Sequence, residues 1–222
     1  MRIGILGTGA MAAGLGGAWV RAGHEVVVGG RNPGAAARTA ARIRAVGSGG
    51  PADAARFGEA VLVALPAEVA AGVVAGLAGD LAGRTVLDCT VPMAPGSGGP
   101  VLTTAGGGDS MAVRLAAAAP GARVAKVFGI CHESIWTMPR PAFEGVSLTV
   151  PFCADAPAAA ELVTELVASM GCTAVRCGGL ERAALLEAAA VFAIGVWWDG
   201  GEARHAFPAP PLAPGAVDDE QV

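Results

Sequence analysis

The chain has 222 residues, 53% of them hydrophobic and 15% charged, with 34 Gly and a formal net charge of -4. That length bounds it to one domain or one domain with a small appendage. Mild acidity, no basic run and an aromatic content of 5% argue against nucleic acid and for a small-molecule partner. Mean hydropathy is +0.54, but Ala and Gly carry the excess, and no Leu/Ile/Phe run is long enough for a spanning helix. The uncharged stretch 3–20 behind Arg2 carries its glycines at motif spacing, which separates it from a signal peptide. Five cysteines, Cys89, Cys131, Cys153, Cys172 and Cys177, are scattered, with no CxxC and no His at ligand spacing. They read as reduced thiols of a cytoplasmic protein with no metal site.

The apolar run Arg2 to Leu6 ends in glycines and predicts a strand, and Met11 to Ala22 predicts an Ala-rich helix that stops at Gly23. Glu25 to Gly29 is β-branched, and Pro33 to Ala45 opens with a helix-start proline. A Gly-rich edge at 46–50, a short helix over 52–57 and the strand Ala60 to Leu65 follow, then a helix over 69–77 and the strand Thr85 to Cys89. Short apolar runs alternating with helices predict a parallel sheet covered on both faces. Residues 92–109 hold too much Gly and Pro for either period and predict a long loop. Ser110 to Ala118 predicts a helix capped by Ser110 or Asp109, and Arg123 to Val127 a strand. The stretch 129–145, with His132 and Trp136, is irregular. Val146 to Val150 alternates as a strand, 156–170 is an amphipathic helix, 173–177 a last strand, and 180–197 a long apolar helix. Residues from 206 on are Pro-rich and acidic and predict a disordered tail.

Gly7-Thr8-Gly9-Ala10-Met11-Ala12 is G-x-G-x-x-A, placed directly after the first strand and opening the first helix. The first Gly permits the tight turn, the second admits a pyrophosphate, and Ala12 lets helix and strand lie close. The helix N-terminus adds unpaired N–H groups for the anion. A dinucleotide site follows from that context. At the end of the second strand stands Gly29-Gly30-Arg31-Asn32, with no Asp or Glu for ribose hydroxyls. The forked donors of Arg31 suit a 2′-phosphate, with Arg38 near enough to add charge, so NADP(H) is expected over NAD(H).

These residues resemble the NADPH-dependent F420 reductases, the F420H2:NADP oxidoreductases. The match lies in residues 1–11, in Ala22 through Arg31, and in the strand ending Ala64-Leu65-Pro66, and continues through Gly121 to Phe128 and Cys172 to Leu186. It covers nearly the whole chain up to about Trp198. The resemblance implies a Rossmann-type doubly wound α/β sheet with a small C-terminal α/β extension, and direct hydride transfer between NADPH and a deazaflavin, coenzyme F420. By position it implies that Gly7, Thr8, Gly9, Ala10 and Met11 hold the pyrophosphate, Gly30, Arg31 and Asn32 the 2′-phosphate side, and Leu65 and Pro66 the nicotinamide. Thr90, Val91 and Pro92 would line the second substrate's pocket. The family commonly has Ser at the place of Gly30 and in some members Lys near Ala35, and it often shows Asn-Thr after the strand ending Phe128. Here Gly129-Ile-Cys-His-Glu-Ser follows instead.

That altered segment places Cys131 and His132 at the acceptor, with His132 either a proton donor beside Glu133 and Ser134 or a loop histidine packed on Trp136. His24 reads as structural, His205 as a solvated tail residue, and the helix 180–197 as core or subunit interface, so a homodimer is expected. The expected organisation is a dinucleotide-binding domain over 1–128, an acceptor segment and extension over 129–200, and a tail over 203–222. Two alternatives remain open: an NADPH-dependent reductase of a small imine, enone or dehydro-amino acid, and a non-catalytic NADP-binding module.

Overall fold

The computed structural model describes residues 1–104 and 106–203. Strand β1 (Arg2–Leu6) leads into helix α1 (Ala10–Arg21), β2 (Glu25–Gly29) into α2 (Pro33–Ile43), and β3 (Gly47–Gly49) into α3 (Pro51–Phe57). After β4 (Ala60–Val63) come α4 (Ala67–Gly76) and α5 (Ala78–Leu81), then β5 (Thr85–Asp88) and the hairpin β6 (Met93–Gly96) and β7 (Gly99–Leu102). Helix α6 (Met111–Ala118) precedes β8 (Arg123–Lys126), and a 3-10 turn spans Glu133–Thr137. The short strands β9 (Ala142–Phe143) and β10 (Val146–Ser147) lead to β11 (Thr149–Ala154), α7 (Pro157–Ser169), β12 (Thr173–Arg176) and α8 (Ala183–Trp198).

The main sheet has the order β12-β11-β8-β5-β4-β1-β2-β3. The six strands from β3 to β8 are parallel and follow the doubly wound order, with the strand order reversing between β1 and β4. β11 runs antiparallel to β8, and β12 runs parallel to β11. The expected sheet is therefore right in class and differs at this edge. Residues 129–148 stay on the carboxyl side of β8 with no crossover helix, so the chain can return only in the opposite direction.

Two apolar layers sandwich the sheet. Ile3, Ile5, Leu15, Trp19, Val26, Val28 and Leu62 pack under α1, α2 and α7. Leu6, Val61, Val63, Val74, Val86 and Leu115 pack under α4 and α6. The β-strands read as continuous apolar runs because both of their faces are covered.

Two expectations fail for identifiable reasons. Residues 92–109 are not all loop: 93–102 form an antiparallel hairpin in which Pro95 faces Pro100, around a turn at Ser97 and Gly98. With Gly96 and Gly99 closing the turn, the proline pair falls where no ladder N–H is needed, so the prolines are tolerated. The strand expected to end at Val150 runs on to Ala154 through Pro151. Pro151 lacks its N–H on the side of β8, whose pairing with β11 is confined to Cys153 and Ala154. Residues 204–222, with His205 and most of the expected tail, lie outside the described residues. No helix among the described residues is long and apolar enough to cross a membrane.

Candidate functional site

The turn from β1 to α1 is built for a close-approaching ligand. Gly7 sits at φ +128°, and a Cβ there would lie 2.1 Å from the Ala64 carbonyl oxygen, so only glycine fits against β4. Its N–H donates to the Gly29 carbonyl at 2.9 Å, which ties the turn to the end of β2. Helix α1 starts at Gly9 with no side chain capping it and open space in front. The first-turn N–H groups of a helix have no partner of their own, so those around Ala10 and Met11 are left for an anion.

Beside this turn, at the end of β2, a recess of about 370 Å³ is lined by Thr8, Ala35, Arg38, Thr39 and Arg42. Thr39 is 5% exposed and donates its hydroxyl to the Thr8 carbonyl at 3.0 Å, pinning the loop on α2. A Cβ on Gly30 would lie 2.8 Å from the Thr8 methyl, which matches glycine here to threonine there. Arg31 is exposed at the mouth of the same loop, and no carboxylate lines the recess. Asn32 caps α2: its Oδ1 accepts from the Ala35 N–H at 3.0 Å. A cradle open in front of α1 and an acid-free, arginine-lined recess fit a dinucleotide carrying a 2′-phosphate. Leu65, half-buried, and Pro66, exposed at the start of α4, follow the carboxyl end of β4.

At the carboxyl ends of β5 and β8 the structure brings together three charged side chains that the sequence reading passed over. The chain's single lysine, Lys126, is 1% exposed; its Nζ contacts Asp88 Oδ2 at 3.0 Å and Glu187 Oε1 at 2.8 Å, and donates to the Thr90 carbonyl. Asp88 Oδ1 accepts from the Thr90 N–H at 2.8 Å and from its hydroxyl at 2.6 Å. Glu187 Oε1 also accepts from the Met111 N–H at 2.8 Å, at the start of α6. Burial alone would lower the Lys126 pKa, but the two carboxylates outweigh it and hold it above its ordinary value. Burial raises that of Glu187, against the lowering pull of Lys126. Charged residues inside apolar runs, as in Leu87-Asp88-Cys89 and Ala125-Lys126-Val127, are the sequence signal for such a cluster.

The expected acceptor residues divide between this cluster and a cavity. Thr90 is buried with its hydroxyl on Asp88; Val91 is half-buried, with its side chain near Gly129; Pro92 is buried and accepts from Thr103. Beyond β8, Phe128 adopts φ +69°, a left-handed conformation that costs about 1–3 kcal/mol in a bulky residue. Edge-on contacts to Trp19 at 5.7 Å and Trp136 at 5.3 Å hold it there. This turn throws residues 129–137 across α1, where the Glu133 carbonyl lies close to Gly14. Trp136 points into the core and is 0% exposed, whereas the His132 side chain is 58% exposed. The Ser134 N–H donates to His132 Nδ1 at 3.3 Å, so a neutral ring carries its hydrogen on Nε2, 3.3 Å from Glu133 Oε2. Cys131, His132 and Ser134 are among the residues that line a cavity of about 830 Å³ between this segment and α8. Burial pushes the Cys131 thiol up to about 11, so it lines the cavity as a neutral group. His24 bonds Ser169, at the end of α7, at 2.9 Å and does not line the cavity.

Comparison with known proteins agrees with this geometry. Residues 2–92 match the family described as NADP oxidoreductase, coenzyme F420-dependent. A search of the curated proteins gave no match. Among solved structures, a candidate F420-dependent NADP-reductase from Arthrobacter sp. FB24 is similar at a TM-score of 0.79 and 26% identity, over 90% of this chain and 95% of that one. An imine reductase from Bacillus cereus (TM-score 0.62, 16% identity) covers 90% of this chain and 61% of its own. An NADP-bound pyrroline carboxylate reductase from Plasmodium falciparum (0.60, 11%) covers 90% and 64%. At those identities the last two share the fold alone. The resemblance noted in the sequence is thus supported both by the residues that build the nucleotide turn and by the architecture: residues 2–92, under half of the chain, are similar to the coenzyme F420-dependent NADP oxidoreductase family, and the chain is an NADP-dependent oxidoreductase.

Proposed function

We propose that the chain transfers a hydride between NADPH and a second molecule held beyond the carboxyl end of β8, as an F420H2:NADP oxidoreductase does. The observation that carries this reading is the placement of the open turn at Gly7–Met11 and the cavity at Ile130–His132 on the same carboxyl edge of the parallel sheet, where such folds bind ligands. In it, Gly7 to Met11 receive the pyrophosphate on the first turn of α1. Arg31, Arg38 and Arg42 neutralise the 2′-phosphate, with Thr8 and Thr39 closing that recess. Leu65 and Pro66 stand on the nicotinamide side. When bound, NADPH supplies a hydride to the electrophilic carbon of its partner and leaves as NADP+. The chain's own contribution is orientation and exclusion of water, since the transfer depends on how two groups face each other.

The first acceptor to test is F420 itself. Its oxidised absorbance is followed with purified protein and NADPH, and in parallel with NADH. Bleaching with NADPH alone supports both the family activity and the arginine recess. A second reading is favoured by His132, which lines the cavity with its ring partly exposed: reduction of a small imine or enone, with the proton delivered from His132 and restored from solvent. NADPH binding without bleaching of F420, together with NADPH-dependent turnover of an imine or enone, selects this second reading. In either case the free thiols fit a cytoplasmic protein, and the exposed Leu185 and Trp198 on α8 fit a homodimer.

A further inference from the structure

We infer that Lys126, Asp88 and Glu187 are positioning residues of the acceptor cavity: their ion cluster seats α8 and the turn after β8 against the end of β5 and so sets the cavity's width. This rests on the hydride-transfer reading above. None of the three lines the cavity, but each stands just ahead of a segment that builds it. Lys126 comes two residues before Phe128, whose left-handed backbone starts the turn that carries Ile130, Cys131 and His132 into the lining. Asp88 accepts from the N–H and hydroxyl of Thr90, and Lys126 donates to the Thr90 carbonyl. On either side of Thr90, Cys89 and Val91 lie against the base of the same turn: a Cβ on Gly129 would meet the Cys89 carbonyl oxygen at 3.1 Å and the Val91 side chain at 3.3 Å. Glu187 stands before Ala189, Ala193 and Trp197, the cavity residues of α8, which follow it by about 3, 9 and 15 Å along the helix axis.

Packing alone holds α8 weakly at this place. Leu180 and Ala183 root its start in the core, but beyond them its buried side chains are Glu187, Ala190, Val191 and Ala193. Two alanines and a valine remove far less apolar area from water than Leu15 and Trp19 do for α1. The large side chains of Leu185, Trp197 and Trp198 are turned outward. Where α8 meets the β6–β7 hairpin, Gly195 faces Gly99, a contact with no side chains to interlock. The Glu187 carboxylate is therefore the main grip on this stretch, and it is lopsided. Its Oε1 takes Lys126 and the Met111 N–H, while Oε2 is buried with no hydrogen-bond partner among the described residues. Asp88 draws on the same ammonium and has Thr90 besides, so Glu187 is the member whose place depends most on the cluster staying intact. A small shift of α8 changes the room facing His132, whereas the Gly7 turn follows β1, which β4 separates from β5.

The test compares Glu187→Leu and Glu187→Gln with the wild type, each full-length and saturated with NADP+, by peptide-resolved hydrogen exchange and by steady-state kinetics. Glu187→Leu should raise exchange over 129–135 and 189–198 at least about tenfold, while peptides of β1, α1 and β2 change by less than about twofold. NADP+ affinity should also stay within about twofold. Turnover is read on F420, or on the cyclic imine 1-pyrroline if the wild type reduces only that. The acceptor KM should rise about tenfold or more and the NADPH KM should not. Glu187→Gln keeps the oxygen that accepts from Lys126 and Met111 and should fall between wild type and Glu187→Leu on both readouts; it carries the test if Glu187→Leu does not fold. Val74→Ala, a core variant under α4, controls for plain destabilisation and should move the acceptor KM by less than about twofold. Exchange that rises equally in β1 and α8, or in neither, overturns the inference, and so does a local rise with an unchanged acceptor KM. A wild type that binds NADP+ but reduces neither acceptor overturns the hydride-transfer reading instead, and exchange alone then decides whether the cluster seats α8.

Discussion

His132 separates two kinds of chemistry. Direct hydride transfer to a deazaflavin needs two ring faces in register and gains little from an acid, whereas reduction of a C=N or C=O-conjugated bond leaves a site that must take a proton. Replacing His132 with Ala should therefore lower kcat by about 10²-fold for an imine or enone and change F420 reduction little. NADPH affinity should hold, because His132 lies on the segment beyond β8 and not at the Gly7 turn. Equal turnover of wild type and variant on every accepted substrate would remove His132 from the mechanism. The residue was legible as a candidate because it interrupts a family pattern, but its setting was not: the sequence left open packing against Trp136, and the structure turns Trp136 inward and His132 outward. Asp88, Lys126 and Glu187 show the converse. They lie 38 and 61 residues apart along the chain, and a pairing set by two strand ends and a distant helix leaves no local trace.

At the scale of elements, Asn32 is the instructive case. Its place after β2 suggests cofactor contact, yet its side chain accepts from the Ala35 N–H and starts α2 behind Pro33. Asn32→Ala should destabilise the protein by about 1 kcal/mol in chemical denaturation, the usual cost of a lost N-cap. NADPH binding should change far less than in Arg38→Ala, which removes a cation lining the recess. A tenfold loss of NADPH affinity in Asn32→Ala with unchanged stability would return the residue to the cofactor site. Elements with strong periodicity or clear punctuation are legible from sequence: β1, β2 and α6 fall where expected, and Ser110 is the N-cap, accepting from the Val113 N–H at 3.3 Å. The hairpin 93–102 and the continuation of β11 through Pro151 are not, because proline's penalty depends on which way its missing N–H points, and that is fixed by strand partners far along the chain.

For the whole molecule, the Lys126 cluster joins the C-terminal helix to the Rossmann sheet: Glu187 comes from α8, Met111 from the start of α6, and Asp88 and Lys126 from adjacent strand ends. Lys126→Met should cost about 3–5 kcal/mol, since two buried carboxylates would lose their counterion. The loss should shrink when Glu187→Leu is added, and a strictly additive double variant would show that the pair is not coupled. The raised Lys126 pKa means that its stabilisation is present below its ordinary 10.5 and fades as pH rises through the folded value. The buried thiols act earlier on the same axis. Burial pushes Cys89 up to about 12 and Cys153 to about 11, from an ordinary 9.0. The folded state therefore keeps these thiols protonated while the unfolded chain releases their protons above pH 9, so stability must fall as pH rises between 9 and 11. Each thiol contributes a slope of up to about 1.4 kcal/mol per pH unit in that window. Urea denaturation at pH 7.5, 9.0 and 10.5 measures it: the free energy should be level between the first two points relative to the drop at the third. A free energy that stays flat to pH 10.5 would mean that water reaches Cys89 and Cys153, and with it the sheet edge on which the proposed site is built.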